Sequence, residues 1–454
     1  MKQAQSGSAG TSATAAASTT IVALASGALP AAIAVVRLSG PATGGLVAAA
    51  AGGLPAPRRA SLRLIRDPAD GRPLDRGLVL WLPGPGSPTG EDAAEFHVHG
   101  GRAVVAAVIA ALTAQPGVRL AEPGEFARRA FAAGRLDLAA LEGLADLVAA
   151  ETEAQRAQAL AHSEGLLGGR VEAWRTGLVA ARALVEAALD FSDEDDVAED
   201  AAAVARGEAA ALRDALAAAL ADADRGERLR EGFQVALLGP PNAGKSSLLN
   251  ALARREVAIV TAEPGTTRDV IEVHLDLDGL PVVVADTAGL READGIVERE
   301  GIRRAVARGR AADLVLWLDP ADAPAPPPAD LAGELGDRLL VLRAKADLAA
   351  AVAAALSVSA ATGEGVAALV ERIAAAARAG FGAGEPALVV RARQREAVTA
   401  ALAALDRALA DPQLPAELFA EELRAAGDAL SRVVGRIGVE DVLDRLFSSF
   451  CIGK

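Results

Sequence analysis

The sequence predicts a multidomain protein of the α/β plus α class: an N-terminal mixed α/β domain, then a helical bundle into which a second α/β module is inserted. Three observations predict it. The chain is 454 residues long, enough for about three domains of ordinary size. Its hydrophobic pattern changes from strand-like to helical near residue 134, alternates strand and helix from 231, and returns to helical from 380. A glycine-rich turn sits where the second α/β stretch begins, between a strand-like run and a helix-like run.

Composition narrows the class. Hydrophobic residues make up 52%, a fraction inflated by alanine, with 3% aromatic and 23% charged residues, a helix-rich globular balance. No stretch of eighteen or more apolar residues suggests a membrane span. The net charge of −14, from 46 basic and 60 acidic residues, argues against coating nucleic acid by bulk electrostatics, so any RNA contact must be local or shared with a partner. The one cysteine, Cys451, allows no intramolecular disulfide, which suits a reducing compartment and an expected cytoplasmic address. Its tail, "FCIGK", lacks the aliphatic spacing and final residue of a prenylation box. A small buried hydrophobe and a reactive thiol both remain open for it.

Residues 1–18 read as a polar, disordered leader. From 19 to 133, "TTIVALA", "AIAVVRLSG", "GLVLWLPG" and "AAEFHVHGG" are predicted strands of the mixed domain. From 134 to 230, Leu138, Leu141, Leu144, Leu147 and Val148 open a series of alanine-rich amphipathic helices. The acidic run "SDEDDVAED" within it reads as a solvated loop with capping residues for the next helix. Residues 231–379 form the inserted module, with "DAPAPPPAD" as a proline-rich surface loop. Helical periodicity fills 380–454. Insertion at a loop is tolerated when entry and exit lie close together.

The inserted module carries the chemistry. "GPPNAGKSS", Gly239 to Ser247, is a P-loop in the strand-to-helix context the motif requires. Backbone N–H groups can cradle phosphate, Lys245 can reach the β and γ phosphates, and Ser246 can ligate Mg²⁺. "EPGTTRD" offers Thr267 as a second Mg²⁺ hydroxyl, and "ADTAG" offers Asp286 and Gly289 to the metal shell and the γ-phosphate. In "RAKADL", the Asp347 carboxylate can accept from the ring N–H and exocyclic amine of guanine, and "VSAATGEG" supplies Ser359 and Ala360 beside the base. These elements in this order predict a Ras-like GTPase. The predicted nucleotide-contacting set is Asn242, Ala243, Gly244, Lys245, Ser246 and Ser247; Thr261, Ala262, Glu263, Pro264, Gly265, Thr266 and Thr267; Asp286, Thr287, Ala288 and Gly289; then Lys345, Asp347, Ser359 and Ala360. Two departures stand out. Ala344 occupies the asparagine position of the usual N-K-x-D motif, and Leu290 follows D-T-A-G where Ras-type enzymes carry a water-orienting glutamine.

With "TGED", "EFHVHGG", "EPGEFARRAFAAGRLDL" and the terminal "FCIGK", these motifs resemble the tRNA modification GTPase MnmE (TrmE) family from about Thr19 to Lys454. The resemblance implies an N-terminal tetrahydrofolate-binding domain that dimerises and a G domain inserted in a helical domain. It implies a homodimer working with an MnmG-like FAD-dependent partner in a hetero-oligomer, adding an aminomethyl-type group to carbon 5 of the wobble uridine of tRNA, with no membrane role. It further implies a K⁺-activated GTPase, with Asn242, Thr261, Glu263 and Thr266 as K⁺ ligands and Glu298 orienting the attacking water when G domains pair. The implied folate positions are Arg37, Glu95, Arg135 and Lys454, and Cys451 would serve the modification chemistry. The N-terminal turn "SGALPAA" and Pro88 before "TGED" depart from the family pattern. His97 and His99, two apart on a predicted strand, read as structural or pocket-lining histidines rather than a metal pair. The competing function is an RNA- or ribosome-associated assembly switch, in which hydrolysis times release without chemistry on a base.

Overall fold

A computed structural model of the chain describes residues 19–190, 195–259, 272–286, 307–348, 356–382, 384–437, 442–443, 446–447, 450 and 453. The expected leader lies outside them. By contact the chain divides into two compact units, one running to Ala145 and resuming at Val434, the other Asp146–Val433.

In the first unit, β1 (Thr20–Leu24), β2 (Ala31–Ser39), β3 (Ser61–Arg66), β4 (Pro73–Leu82), β5 (Ala93–Gly100) and β6 (Val118–Leu120) form a sheet of order β3-β4-β5-β2-β1-β6. The β1–β6 pairing is parallel and the others antiparallel. The alternation of β2 sends Ala34, Val36 and Leu38 into a core capped by helices Thr43–Ala51 and Arg102–Thr113, where Val47, Val105, Val108 and Leu112 pack. Arg37, between two of those core positions, therefore belongs to the other face, paired in register with Glu95 of β5. β3 and β6 escape a reading by pattern, because "SLRLIR" carries two arginines at the sheet edge and "VRL" is three residues long.

The last segment joins this unit through aromatics. Phe447 and Phe450 are buried against Ala127 and Leu141, and the Arg128 guanidinium lies 5.0 Å from the Phe447 ring centroid. Division by contact thus falls at Ala145 and Val434, whereas periodicity changes near 134 and 380.

The second unit holds the bundle and the inserted module. Helices Leu166–Asp190 and Asp195–Ala221 pack with Ala392–Ala410 and Ala416–Val433, burying Leu178, Val185, Leu216, Leu405, Leu423 and Leu430. Helix Asp195–Ala221 begins inside the acidic run, so the second half of that run is helical rather than loop. The module's sheet comprises β7 (Phe233–Leu238), β8 (Glu272–Leu277), β9 (Leu280–Asp286), β10 (Leu314–Pro320), β11 (Leu339–Ala344) and β12 (Leu356–Val358), in the order β12-β11-β10-β7-β9-β8. All pairs are parallel except β8–β9. Such a sheet binds ligands beyond the carboxyl ends of its strands. Entry and exit of the insertion meet where Arg230 Nε donates to Val390 O at 3.2 Å.

Candidate functional site

The glycine-rich loop leaves β7 at its carboxyl end. Gly239 has φ +147°, and a Cβ there would stand 2.6 Å from Leu318 O, so a side chain would force the loop away from β10. Asn242 adopts φ +60°, a left-handed conformation that asparagine tolerates better than most residues. Gly244, at φ +96°, then starts the helix Lys245–Ala253, whose N-terminus directs unbonded N–H groups into the loop. Lys245 folds back over the loop, its Nζ donating to Gly239 O at 3.0 Å and Pro240 O at 2.9 Å. Burial pushes its ammonium below the usual lysine value, and the Asp286 carboxylate opposes that shift. Ser246 Oγ donates to the buried Asp286 at the end of β9. A hydroxyl and a carboxylate so close are the donor set a Mg²⁺ shell takes.

A cavity of about 130 Å³ connects this loop to the "RAKAD" segment, lined by Ala243, Gly244, Ser247, Leu318, Ala344, Lys345, Asp347 and Ala360 among others. Asp347 Oδ1 accepts from Ser359 Oγ at 2.5 Å, and Ser359 Oγ also accepts from Thr362 N at 3.2 Å, fixing the carboxylate at the rim. Lys345 has φ +56° and sends its ammonium to Asp322 at 2.8 Å. The apolar floor and a braced carboxylate suit a flat base that presents two N–H donors.

A second cluster lies on the open face of the N-terminal sheet. Arg37 donates through Nε and Nη2 to Glu95 Oε1, at 3.0 and 2.9 Å, while His97 Nε2 lies 3.1 Å from Glu95 Oε2. Burial alone would raise the Glu95 carboxyl, but the His97 hydrogen bond and the Arg37 charge outweigh it and hold the group below the ordinary carboxylate value. Arg37 Nη1 also reaches Gly453 O at 3.4 Å. Gly453 is buried with φ +103°, and a Cβ there would meet Leu24 O at 2.2 Å, so the tail lies on the end of β1 as only glycine can. Arg135 is exposed, its stem beside the Gly90 turn. His99 pairs with Asp75, Nδ1 to Oδ1, at 2.8 Å. No cluster of three or more His, Cys, Asp or Glu suited to a metal occurs among the described residues.

The "TGED" and "PGEF" blocks meet at Arg129, which bonds Glu91 at 2.9 Å and Glu125 at 3.0 Å, while Arg119 holds the other side of Glu125. Their part is to lock the helix Glu125–Ala132 to the sheet. Thr261, Ala262, Glu263, Pro264, Gly265, Thr266, Thr267, Thr287, Ala288, Gly289, Glu298, Cys451 and Lys454 lie outside the described residues. Sequence reasoning missed Asp322, Asp319 and Arg343, which pair with one another and with Lys345 beside this cavity. The signal for them is strand register, which sets Asp319 opposite Arg343.

Residues 20–135 match the family model described as GTP-binding protein TrmE N-terminus, and residues 138–451 match the MnmE helical domain. The chain is 57% identical over 443 residues to the tRNA modification GTPase MnmE of a Methylobacterium species, spanning 96% of this chain and 99% of that protein. Similar relatives are the tRNA modification GTPases MnmE of Methylorubrum populi, 56% identical over 96% of this chain and 98% of that one, and of Azorhizobium caulinodans, 54% identical over 96% and 99%.

Proposed function

This chain belongs to the tRNA modification GTPase MnmE family, and from that premise we propose that it couples GTP hydrolysis to modification of carbon 5 of the wobble uridine in tRNA. It is a GTP hydrolase with a P-loop module inserted in a helical domain. The observation that carries the site assignment is the shared cavity, in which Ala243 and Gly244 of the phosphate loop face Lys345 and Asp347 of the base segment.

In this reading the loop amides and Lys245 hold the β and γ phosphates, and Asp347 selects guanine through its two N–H groups. Ser246 and Asp286, 2.6 Å apart, would hold Mg²⁺, which when bound neutralises charge developing on the phosphoryl oxygens. Thr267 completes that set, and Asn242, Thr261, Glu263 and Thr266 would hold K⁺ beside the phosphates. Glu298 orients the attacking water, the work Leu290 cannot do.

The Arg37–Glu95–His97 cluster supports a tetrahydrofolate pocket, since a carboxylate is the natural partner of a pterin's amine and ring N–H, and Gly453 of the terminal segment accepts from Arg37. The same sheet exposes Ile33, Leu62 and Leu78, an apolar surface consistent with a homodimer. An MnmG-like FAD-dependent protein is the proposed second partner and the cytoplasm the proposed location. Among the described residues no helix is long and apolar enough to cross a membrane.

Mass spectrometry of wobble nucleosides from a deletion strain, complemented with wild type or Glu298→Ala, tests the reading. The modified uridine should vanish on deletion and return with wild type alone. Unchanged nucleosides after deletion would favour the assembly-switch alternative.

A further inference from the structure

The base-reading segment "RAKAD" lacks the asparagine amide that would brace it, yet its backbone is held in place by contacts from the neighbouring strand end. Ala344 is buried in the apolar core, and its side chain offers no hydrogen bond. On either side of it stand two cations, one tied to an acidic residue at the end of β10 and the other to one in the turn that follows. Arg343 Nη1 donates to Asp319 Oδ2 at 2.8 Å, and Nη2 to Ala321 O at 3.3 Å. Lys345 Nζ donates to Asp322 Oδ2 at 2.8 Å. Between them Ala321 N donates to Ala344 O at 2.8 Å. Asp319 is itself oriented by Ala325 N, 2.6 Å from its Oδ1, so the "DPADAPA" turn is built around the base segment.

We propose that Asp322, with Asp319 behind it, is a positioning residue for guanine recognition, supplying through Lys345 and Arg343 the brace that Ala344 cannot. The parallel register of β10 and β11 sets Asp319 opposite Arg343 and Pro320 opposite Ala344, so the turn after β10 reaches forward to Lys345. Lys345 lines the base cavity while Asp322 anchors its ammonium, which fixes the lysine stem as a wall. The hydrogen bond from Lys345, with its charge behind it, in turn holds the Asp322 carboxyl below its ordinary value. Asp322 does not line the cavity; it acts through Lys345.

This inference rests on the cavity being the guanine site, and the test separates the two. Asp347→Asn removes the carboxylate that reads guanine and should weaken GTP and GDP binding by more than tenfold if the cavity is the base site. Asp322→Asn keeps the volume and removes the ion pair. Measured on the full-length protein, it should raise KM for GTP and Kd for GDP about 2- to 5-fold, the range of a partly exposed pair, with kcat within twofold of wild type. Asp322→Glu should restore most of the loss. In an Ala344→Asn background, where an amide can brace the segment, the effect of Asp322→Asn should shrink. An unchanged KM and Kd in Asp322→Asn would overturn the proposal, as would an equal effect in both backgrounds or a fall confined to kcat. An unaltered affinity in Asp347→Asn would instead overturn the cavity assignment.

Discussion

Ser246 Oγ donates to Asp286 Oδ2 at 2.6 Å, tying the first turn after the phosphate loop to the buried end of β9. The two residues are 40 apart in sequence, and the parallel pairing of β7 with β9 brings them together. Asp286→Asn keeps the shape and removes the charge, so it should demand about 10- to 100-fold more Mg²⁺ for half-maximal GTP hydrolysis. Titration of Mg²⁺ at saturating GTP measures this, and an unshifted midpoint would remove Asp286 from the metal shell.

GTP hydrolysis is expected to require K⁺ and to run poorly in Na⁺, because Leu290 offers no polar group and the sequence shows no evident arginine finger. Rates in KCl and NaCl at matched ionic strength decide it. Equality would mean that the missing charge comes from protein rather than from a cation.

Glu95→Gln should weaken tetrahydrofolate binding at least about tenfold while leaving GTP hydrolysis unaltered, since charge-assisted hydrogen bonds are lost in one pocket and not the other. The pH dependence has a definite sign. The folded-state carboxyl is depressed, so the contribution of the Arg37–Glu95–His97 cluster to stability is complete above the ordinary value of 4.5 and is lost as pH falls through the lower folded value. Thermal melts from pH 7 downward should therefore show wild type losing its advantage over Glu95→Gln only in that acidic window. A constant difference across it would contradict the shift.

Cys451→Ser should abolish the modified wobble uridine while K⁺-stimulated hydrolysis persists. Cys451 lies outside the described residues, and the expectation rests on its being the one thiol of the chain, two positions before a Gly453 that is buried against Leu24 and accepts from Arg37. Attack of the thiolate on uridine carbon 6 would open the C5=C6 double bond and make carbon 5 the nucleophile, and loss of the carbon 5 proton after substitution would expel the thiolate and restore that double bond. Nucleoside analysis with purified partner protein reads the outcome, and wild-type modification would return Cys451 to a packing role.

Much of the architecture is legible in the sequence. Period-two runs marked β1, β2, β4 and β5, and the loop "GPPNAGKSS" named its own strand and helix, because the geometry of a phosphate loop needs glycines at stated positions. The edge strands β3 and β6 were not legible, since an edge tolerates charge and short length, and the helix starting at Asp195 was hidden by carboxylates that read equally well as a loop.

What the sequence determined by itself was the order of the domains and the presence of a phosphate loop between strand and helix, because local periodicity and a contiguous loop are encoded in neighbours along the chain. Tertiary structure alone decided which distant residues share a pocket. Glu95 became the partner of Arg37 through strand register, Asp322 the anchor of Lys345 through the parallel pairing of β10 and β11, and Gly453 part of the N-terminal unit through the burial of Phe447 and Phe450. Each of those depends on which strands pair and which apolar faces find one another, a choice made by the free energy of the whole core rather than by any short stretch of chain.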